Sequence, residues 1–183
     1  LVTDWNPDVQ MAPSVLAEEE EMMFYWYGVF TFSFSPDGSI LYVGGNFNIV
    51  GGQERNKLAA FDTKTGLVTD WNPNPDSWVE SLSFSPDGSI LYVGGNFHSI
   101  GGQERNYLAA IDTKTGLVTD WNPDICKNRG DRCYDLRTKL FMSSDGSVLY
   151  VIIRDYDRVN EKDIQIITAI DTKSGQFLSN LPT

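Results

Sequence analysis

The chain contains a single histidine, His98, in 183 residues. That scarcity removes most general-base and triad schemes, which depend on a positioned imidazole. Cysteine is nearly as rare, at two, and two thiols with a distant histidine do not complete a tetrahedral metal site. No metal site is therefore expected. Basic residues are in the minority: 14 Lys and Arg against 25 Asp and Glu give a net charge of −11. Nucleic acid is not an expected partner, because its phosphates call for cationic side chains. The acidity suits either solubility or cation binding. Long apolar runs are missing too. The best, Met22 to Phe34, is short and carries alternating polar positions, so no membrane insertion is expected. No secretion signal opens the sequence, which leaves the compartment open for a mature or partial chain. No Asn-x-Ser/Thr sequon occurs. No window shows a sustained i, i+3, i+4 stripe, which disfavours a helical solenoid.

What the chain has is repetition. Ser83 to Pro123 reproduces Ser33 to Pro73 with five differences: Asn48/His98, Ile49/Ser99, Val50/Ile100, Lys57/Tyr107 and Phe61/Ile111. A looser copy runs from Lys139 to Pro182. A period near fifty residues selects repeat architectures. In the second copy, alternation predicts a strand over Trp78–Ser85. Ser85-Pro86-Asp87-Gly88 supplies a turn, because Pro presets φ, Asp bonds nearby amides and Gly accepts positive φ. A second strand follows over Ser89–Asn96, whose Gly94-Gly95 pair admits a close neighbour. After a polar loop, Tyr107–Asp112 forms a third strand, and Thr113–Gly116 turns into a fourth, Leu117–Trp121. Four short antiparallel strands per repeat are the content of a propeller blade. The expected fold is all-β: three four-stranded blades plus one extra leading strand.

The pattern Leu91-Tyr92-Val93-Gly94-Gly95-x-Phe97-x-x-Ile100-Gly101-Gly102, with Arg105, Leu108-Ala109-Ala110-x-Asp112, Thr115-Gly116 and Trp121-Asn122-Pro123, resembles a bacterial extracellular β-propeller repeat of the delta-60 type. The match is strong in two copies and partial in the third. The resemblance implies a propeller in a secreted or cell-surface setting, and it implies no particular activity.

In chain order, 1–7 (LVTDWNP) reads as the last strand of a preceding blade. Blade 1 spans 8–73 with an acidic and aromatic insertion, blade 2 spans 74–123, and blade 3 spans 124–183 with a cysteine loop. In the insertion, Glu18 to Glu21 are a solvated run or a cation site. Met22 to Tyr27 extend the first strand or form an exposed patch. Cys126 and Cys133 flank a short polar loop, and a disulfide closing it would stabilise by roughly 2.5 kcal/mol. That pairing points to an oxidising compartment. In blade 3, Arg154 to Asp163 replace the Gly-Gly-Gln-Glu-Arg-Asn loop, and no Trp closes the blade.

Three blades do not close a ring, since propellers take about four to eight. The alternatives are a piece of a larger propeller, closure with other copies of the chain, or an open array. Ala110-x-Asp112-x-x-Thr115-Gly116-x-x-x-x-Trp121 is similar to the tryptophan-docking repeat of pyrroloquinoline-quinone dehydrogenases. One extra residue precedes the Trp, and no cofactor-pocket residue matches. Trp71 and Trp121 are accordingly expected to pack between blades. No cofactor and no catalytic residue is expected. The rim loops carrying Glu54, Arg55, Glu104 and Arg105 are the binding candidates, with the alternative that Arg105 bonds to a neighbouring blade. Three functions are open. The first is a non-catalytic secreted or cell-surface module that binds protein, carbohydrate or copies of itself. The second is a fragment of a quinone-dehydrogenase-like enzyme. The third is a self-assembling filament subunit.

Overall fold

The computed structural model describes residues 9–10, 27–126, 136–157 and 162–179. These contain strands, bends and turns and no helix. The leading segment, Glu18 to Glu21, Met22 to Trp26 and Cys133 lie outside the described residues.

Three antiparallel sheets follow one another along the chain, each with its second strand in the middle. The first joins β2 (Gly28–Phe34), β3 (Ile40–Asn46) and β6 (Leu58–Asp62). The second joins β7 (Val79–Phe84), β8 (Ile90–Gly95) and β11 (Leu108–Asp112). The third joins β12 (Arg137–Met142), β13 (Val148–Asp157) and β14 (Lys162–Asp171). Small hairpins stand on the first two blades: β4 (Ile49–Val50) with β5 (Gln53–Glu54), and β9 (Ser99–Ile100) with β10 (Gln103–Glu104). A short β1 (Val9–Gln10) pairs with β4. The small hairpins are absent from the sequence reading, which treats this stretch as loop. In blade 3 the replacement segment instead lengthens β13 and β14 into one long hairpin.

The outer, fourth strand is present only in reduced form. One bridge holds it in each blade: Phe61 with Val68, Ile111 with Val118, and Ile170 with Phe177. Two backbone bonds flank each bridge, such as Asp62 N–H to Leu67 O (3.0 Å) and Thr69 N–H to Ala60 O (2.8 Å). In the first two blades the next carbonyl goes to an arginine. Arg55 Nη2 donates to Thr69 O at 2.7 Å, and Arg105 Nη2 to Thr119 O at 2.9 Å.

The core lies between blades. Between the first two, Tyr42, Leu58 and Ala60 meet Val79, Leu91, Val93 and Ala109. Between the second and third, Tyr92, Leu108 and Ala110 meet Leu140, Leu149, Val151 and Ile170. The Gly-Gly pair explains how they approach. A Cβ on Gly94 would lie 2.5 Å from Thr138 Oγ1 and 3.3 Å from Leu140, so the third blade sits where a side chain would stand. A Cβ on Gly95 would collide with the carbonyl of Trp78 in its own blade. There β7 carries a bulge between Val79 and Ser81, and β2 carries its counterpart between Val29 and Thr31. A bulge bends its strand and brings backbone against the partner, which only glycine tolerates here.

Candidate functional site

The tight turns gather their polar groups locally. In the hairpin Ser35–Ser39, the hydroxyls of Ser35 and Ser39 and the N–H of Ser39 all donate to Asp37. The Ser35 bond, followed by those from Ser39, lowers the Asp37 pKa from 3.8 to about 2. Asp87 and Asp145 repeat the arrangement with Ser85 and Ser89, and with Ser143 and Ser147. At the other turn of each blade, Asp62, Asp112 and Asp171 accept from the N–H and hydroxyl of Thr65, Thr115 and Ser174. Their pKa values are lowered by the same bonds. These aspartates are turn formers.

The opposite rim holds the sequence-predicted candidates. Glu54 and Glu104 end the small hairpins and are exposed. Arg55 donates to Glu54 O at 2.8 Å, Gln53 Oε1 at 2.9 Å and Thr69 O. Arg105 repeats this with Glu104 O, Gln103 Oε1 and Thr119 O. Each guanidinium thus ties the rim hairpin to the outer segment of its own blade, and these three partners of Arg105 lie within blade 2. Its planar fork suits two carbonyls at once.

The tryptophans stand between blades. Trp71 packs edge-on against Tyr42 and lies over Gly116 of the next blade, where a Cβ would be 3.2 Å from its ring. Trp121 packs against Tyr92, and its Nε1 donates to Asp171 O of blade 3 at 3.2 Å. Cys126 is not a free thiol. The expected Cys126–Cys133 pairing involves a residue outside the described ones. Among the described residues, no three of His, Cys, Asp and Glu gather as a metal cage.

One cluster escapes the sequence reading. In blade 1, Lys57 Nζ donates to Asn46 Oδ1 at 2.9 Å and reaches Asn48 Oδ1 at 3.5 Å. Asn48 Nδ2 donates to Asn56 Oδ1, and Asn56 Nδ2 to Asn74 Oδ1, both at 2.7 Å. Burial lowers the Lys57 pKa. In blade 2, Tyr107 replaces Lys57 and His98 replaces Asn48. Tyr107 is fully buried with exposed His98 edge-on above it, ring centroids 5.3 Å apart. The signal was available: four of the five substitutions between the two copies fall at this rim. Lys57 and Tyr107 both hold positive φ, 61° and 67°, so the backbone is shared while the chemistry is changed.

Successive antiparallel sheets of this order, packed face to face through buried side chains, are propeller blades. The chain is a β-propeller repeat protein. Residues 35–63 and 85–110 match the model of a family described as "Domain of unknown function (DUF5122) beta-propeller". Those matches lie in the two near-identical blades. A solved structure, "Crystal Structure of Mitotic Checkpoint Complex", contains a similar chain at 13% identity with a TM-score of 0.45. The similarity covers 80% of this chain and 47% of that one. No curated protein matches the sequence.

Proposed function

We propose that this repeat protein is a non-catalytic, secreted or cell-surface module. It binds a protein or carbohydrate partner at the rim that carries Lys57 and its asparagines in blade 1, and His98 in blade 2. One observation carries the reading. Across 41 residues of near-identity, four of five differences fall at this rim. Two of the five, Phe61/Ile111 and Val50/Ile100, exchange one buried apolar side chain for another, so the polar character changes only at Asn48/His98, Ile49/Ser99 and Lys57/Tyr107. A repeat that keeps its turns and an apolar core and changes its polar groups at one rim resembles a scaffold with a recognition surface. Amides and an ammonium offer paired donors and acceptors, which suits hydroxyls and peptide groups.

The test is binding of the purified chain to glycan arrays and extracellular-protein arrays, beside the variant N48H/K57Y. A ligand held by the parent and lost by the variant, with unchanged thermal unfolding, supports the reading. Equal binding by both removes it, as does quinone absorbance in the purified protein. The secreted setting predicts a Cys126–Cys133 disulfide. Two thiols titrating in unreduced, denatured protein would argue against it.

A further inference from the structure

Blades 1 and 2 keep the outer edge of their third strand short, and blade 3 does not. β6 and β11 are each five residues long. A bridge to the fourth strand covers one end of each, and an arginine takes the next carbonyl of that outer segment. β14 is ten residues long. Its last residues are covered by the bridge from Ile170 to Phe177 and by the bonds of Asp171 N–H to Gln176 O and of Leu178 N–H to Ala169 O. The chain then bends at Ser179, as it does at Asp70 and Asp120. Backbone groups point to alternate sides along a strand. Because Asp171 N–H and Ala169 O point outward, so do the N–H and C=O groups of Ile167, Gln165 and Asp163. Among the described residues nothing pairs with them. Natural sheets protect such an edge with proline, lysines, a bulge or a short strand. The stretch 163–168 (DIQIIT) has no Pro and no Lys, and β13 and β14 pair without a shift.

We infer that this edge pairs with the same edge of a second copy of the chain, antiparallel and about a two-fold axis at Gln165. Centring on Gln165 uses every open group of the stretch. Asp163 meets Ile167 of the second copy, Gln165 meets Gln165, and Ile167 meets Asp163. Hydrogen-bonded pairs exchange both of their bonds, so the three carry about six. The same register sets Ile164 opposite Ile166, twice over, on the face that carries Ile153. Ile153 belongs to the core between blades 2 and 3, and the new pairs continue that apolar stripe over half-buried Ile164 and exposed Ile166. The segment is thus complementary to itself in side chains as well as backbone. Its charge does not oppose contact: Lys162 and Asp163 cancel locally, although the whole chain carries −11. None of these residues belongs to the Lys57 cluster, so pairing and rim binding are lost by different substitutions.

The test compares the full chain with I167P and with two single-cysteine variants. Ile167 N–H points away from β13, so proline there removes an edge donor and spares the β13 ladder. Light scattering across a concentration series is expected to show the parent as a dimer and I167P dissociating at least about tenfold more readily. Hydrogen exchange should slow with concentration at Asp163, Gln165 and Ile167 and stay constant at Ile164 and Ile166, whose N–H groups face β13. Hydrogen-bonded antiparallel pairs hold their Cα atoms about 5.5 Å apart, within disulfide reach. Q165C should therefore cross-link two chains on oxidation, and I164C, which meets Ile166, should not. A parent that stays monomeric at every concentration overturns the inference and leaves the edge to an extended segment of another protein. A dimer equally stable in I167P overturns it too, and would place the contact on the apolar blade faces. Should I167P lose its circular dichroism, the cysteine variants decide: equal cross-linking by both, or none by either, would sink the idea.

Discussion

Blades 2 and 3 share hairpin chemistry, strand order and turn aspartates, yet they solve the middle of the blade differently. In blade 2 the strand pair β7–β8 is bulged and rests on Gly95. In blade 3, β12 pairs with β13 without a shift, and Ile153, buried at 2% exposure, takes the glycine's place. A bulge bends the inner strand and requires glycine beneath it. An unbulged strand requires a filled core. One position thus carries two opposite demands within one chain.

The sharpest way to break that comparison is to place valine at both positions. Gly95→Val drives a branched side chain into the Trp78 carbonyl and should cost ~3 kcal/mol or more, from overpacking and backbone displacement. Ile153→Val removes one methylene from a buried site and should cost ~0.5–1.5 kcal/mol. Urea unfolding of both variants checks the ordering. Equal costs would mean the bulge is not what holds glycine there.

Next in size is the tryptophan pair. Trp121 is 7% exposed and its indole N–H reaches Asp171 O. Trp71 is half-buried, and its buried N–H has no acceptor. Trp121→Ala should therefore cost ~3–5 kcal/mol, and Trp71→Ala clearly less, because truncation there also removes an unsatisfied donor. Thermal unfolding of the two variants reads the difference. A larger loss at Trp71 would contradict the hydrogen-bond accounting.

The repeat, the strand order, the hairpin turns and the need for a close neighbour at Gly94-Gly95 were legible in the sequence, because each rests on local chemistry or alternation. What escaped rests on relations between distant residues. In blades 1 and 2, Arg55 and Arg105 take Thr69 O and Thr119 O, fourteen residues on. No spacing rule announces that bond. The Lys57 cluster needs Asn74 brought beside Asn56 by a tight connection. The unlike surroundings of Phe34 and Phe84 are invisible locally, since both sit in identical Ser-Phe-Ser-Pro-Asp-Gly segments. Phe34 is exposed, whereas Phe84 packs against blade 1.

The arginine clamp gives a smaller contrast. Arg105 is buried, and Arg55, in the same geometry, is more open. Lysine cannot bridge two carbonyls with a planar fork. Arg105→Lys should cost ~1–3 kcal/mol by leaving Thr119 O or Glu104 O unsatisfied. Arg55→Lys should cost less, since water can reach its carbonyls. The check is the urea midpoint of each variant, and the expected order reverses if the clamp matters only at the blade 1 rim.

The smallest effect is the one all three blades share, and it tests whether they remain alike where their sequences agree. Asp37 and Asp145 hold folded pKa values of about 2 against an ordinary 3.8, and Asp87, Asp62, Asp112 and Asp171 shift the same way. A carboxylate with a depressed folded pKa contributes stability in full above its unfolded value and loses it as pH falls through the folded one. Stability should therefore decline between 3.8 and about 2. Glu80 runs oppositely: burial raises its pKa against the pull of Arg137, so its contribution is present at low pH and fades as pH rises through the raised value. Urea unfolding at stepped acidic pH should show a shallower decline for D37N/D87N/D145N than for the parent. A parallel decline would assign the acid sensitivity to groups outside these hairpins.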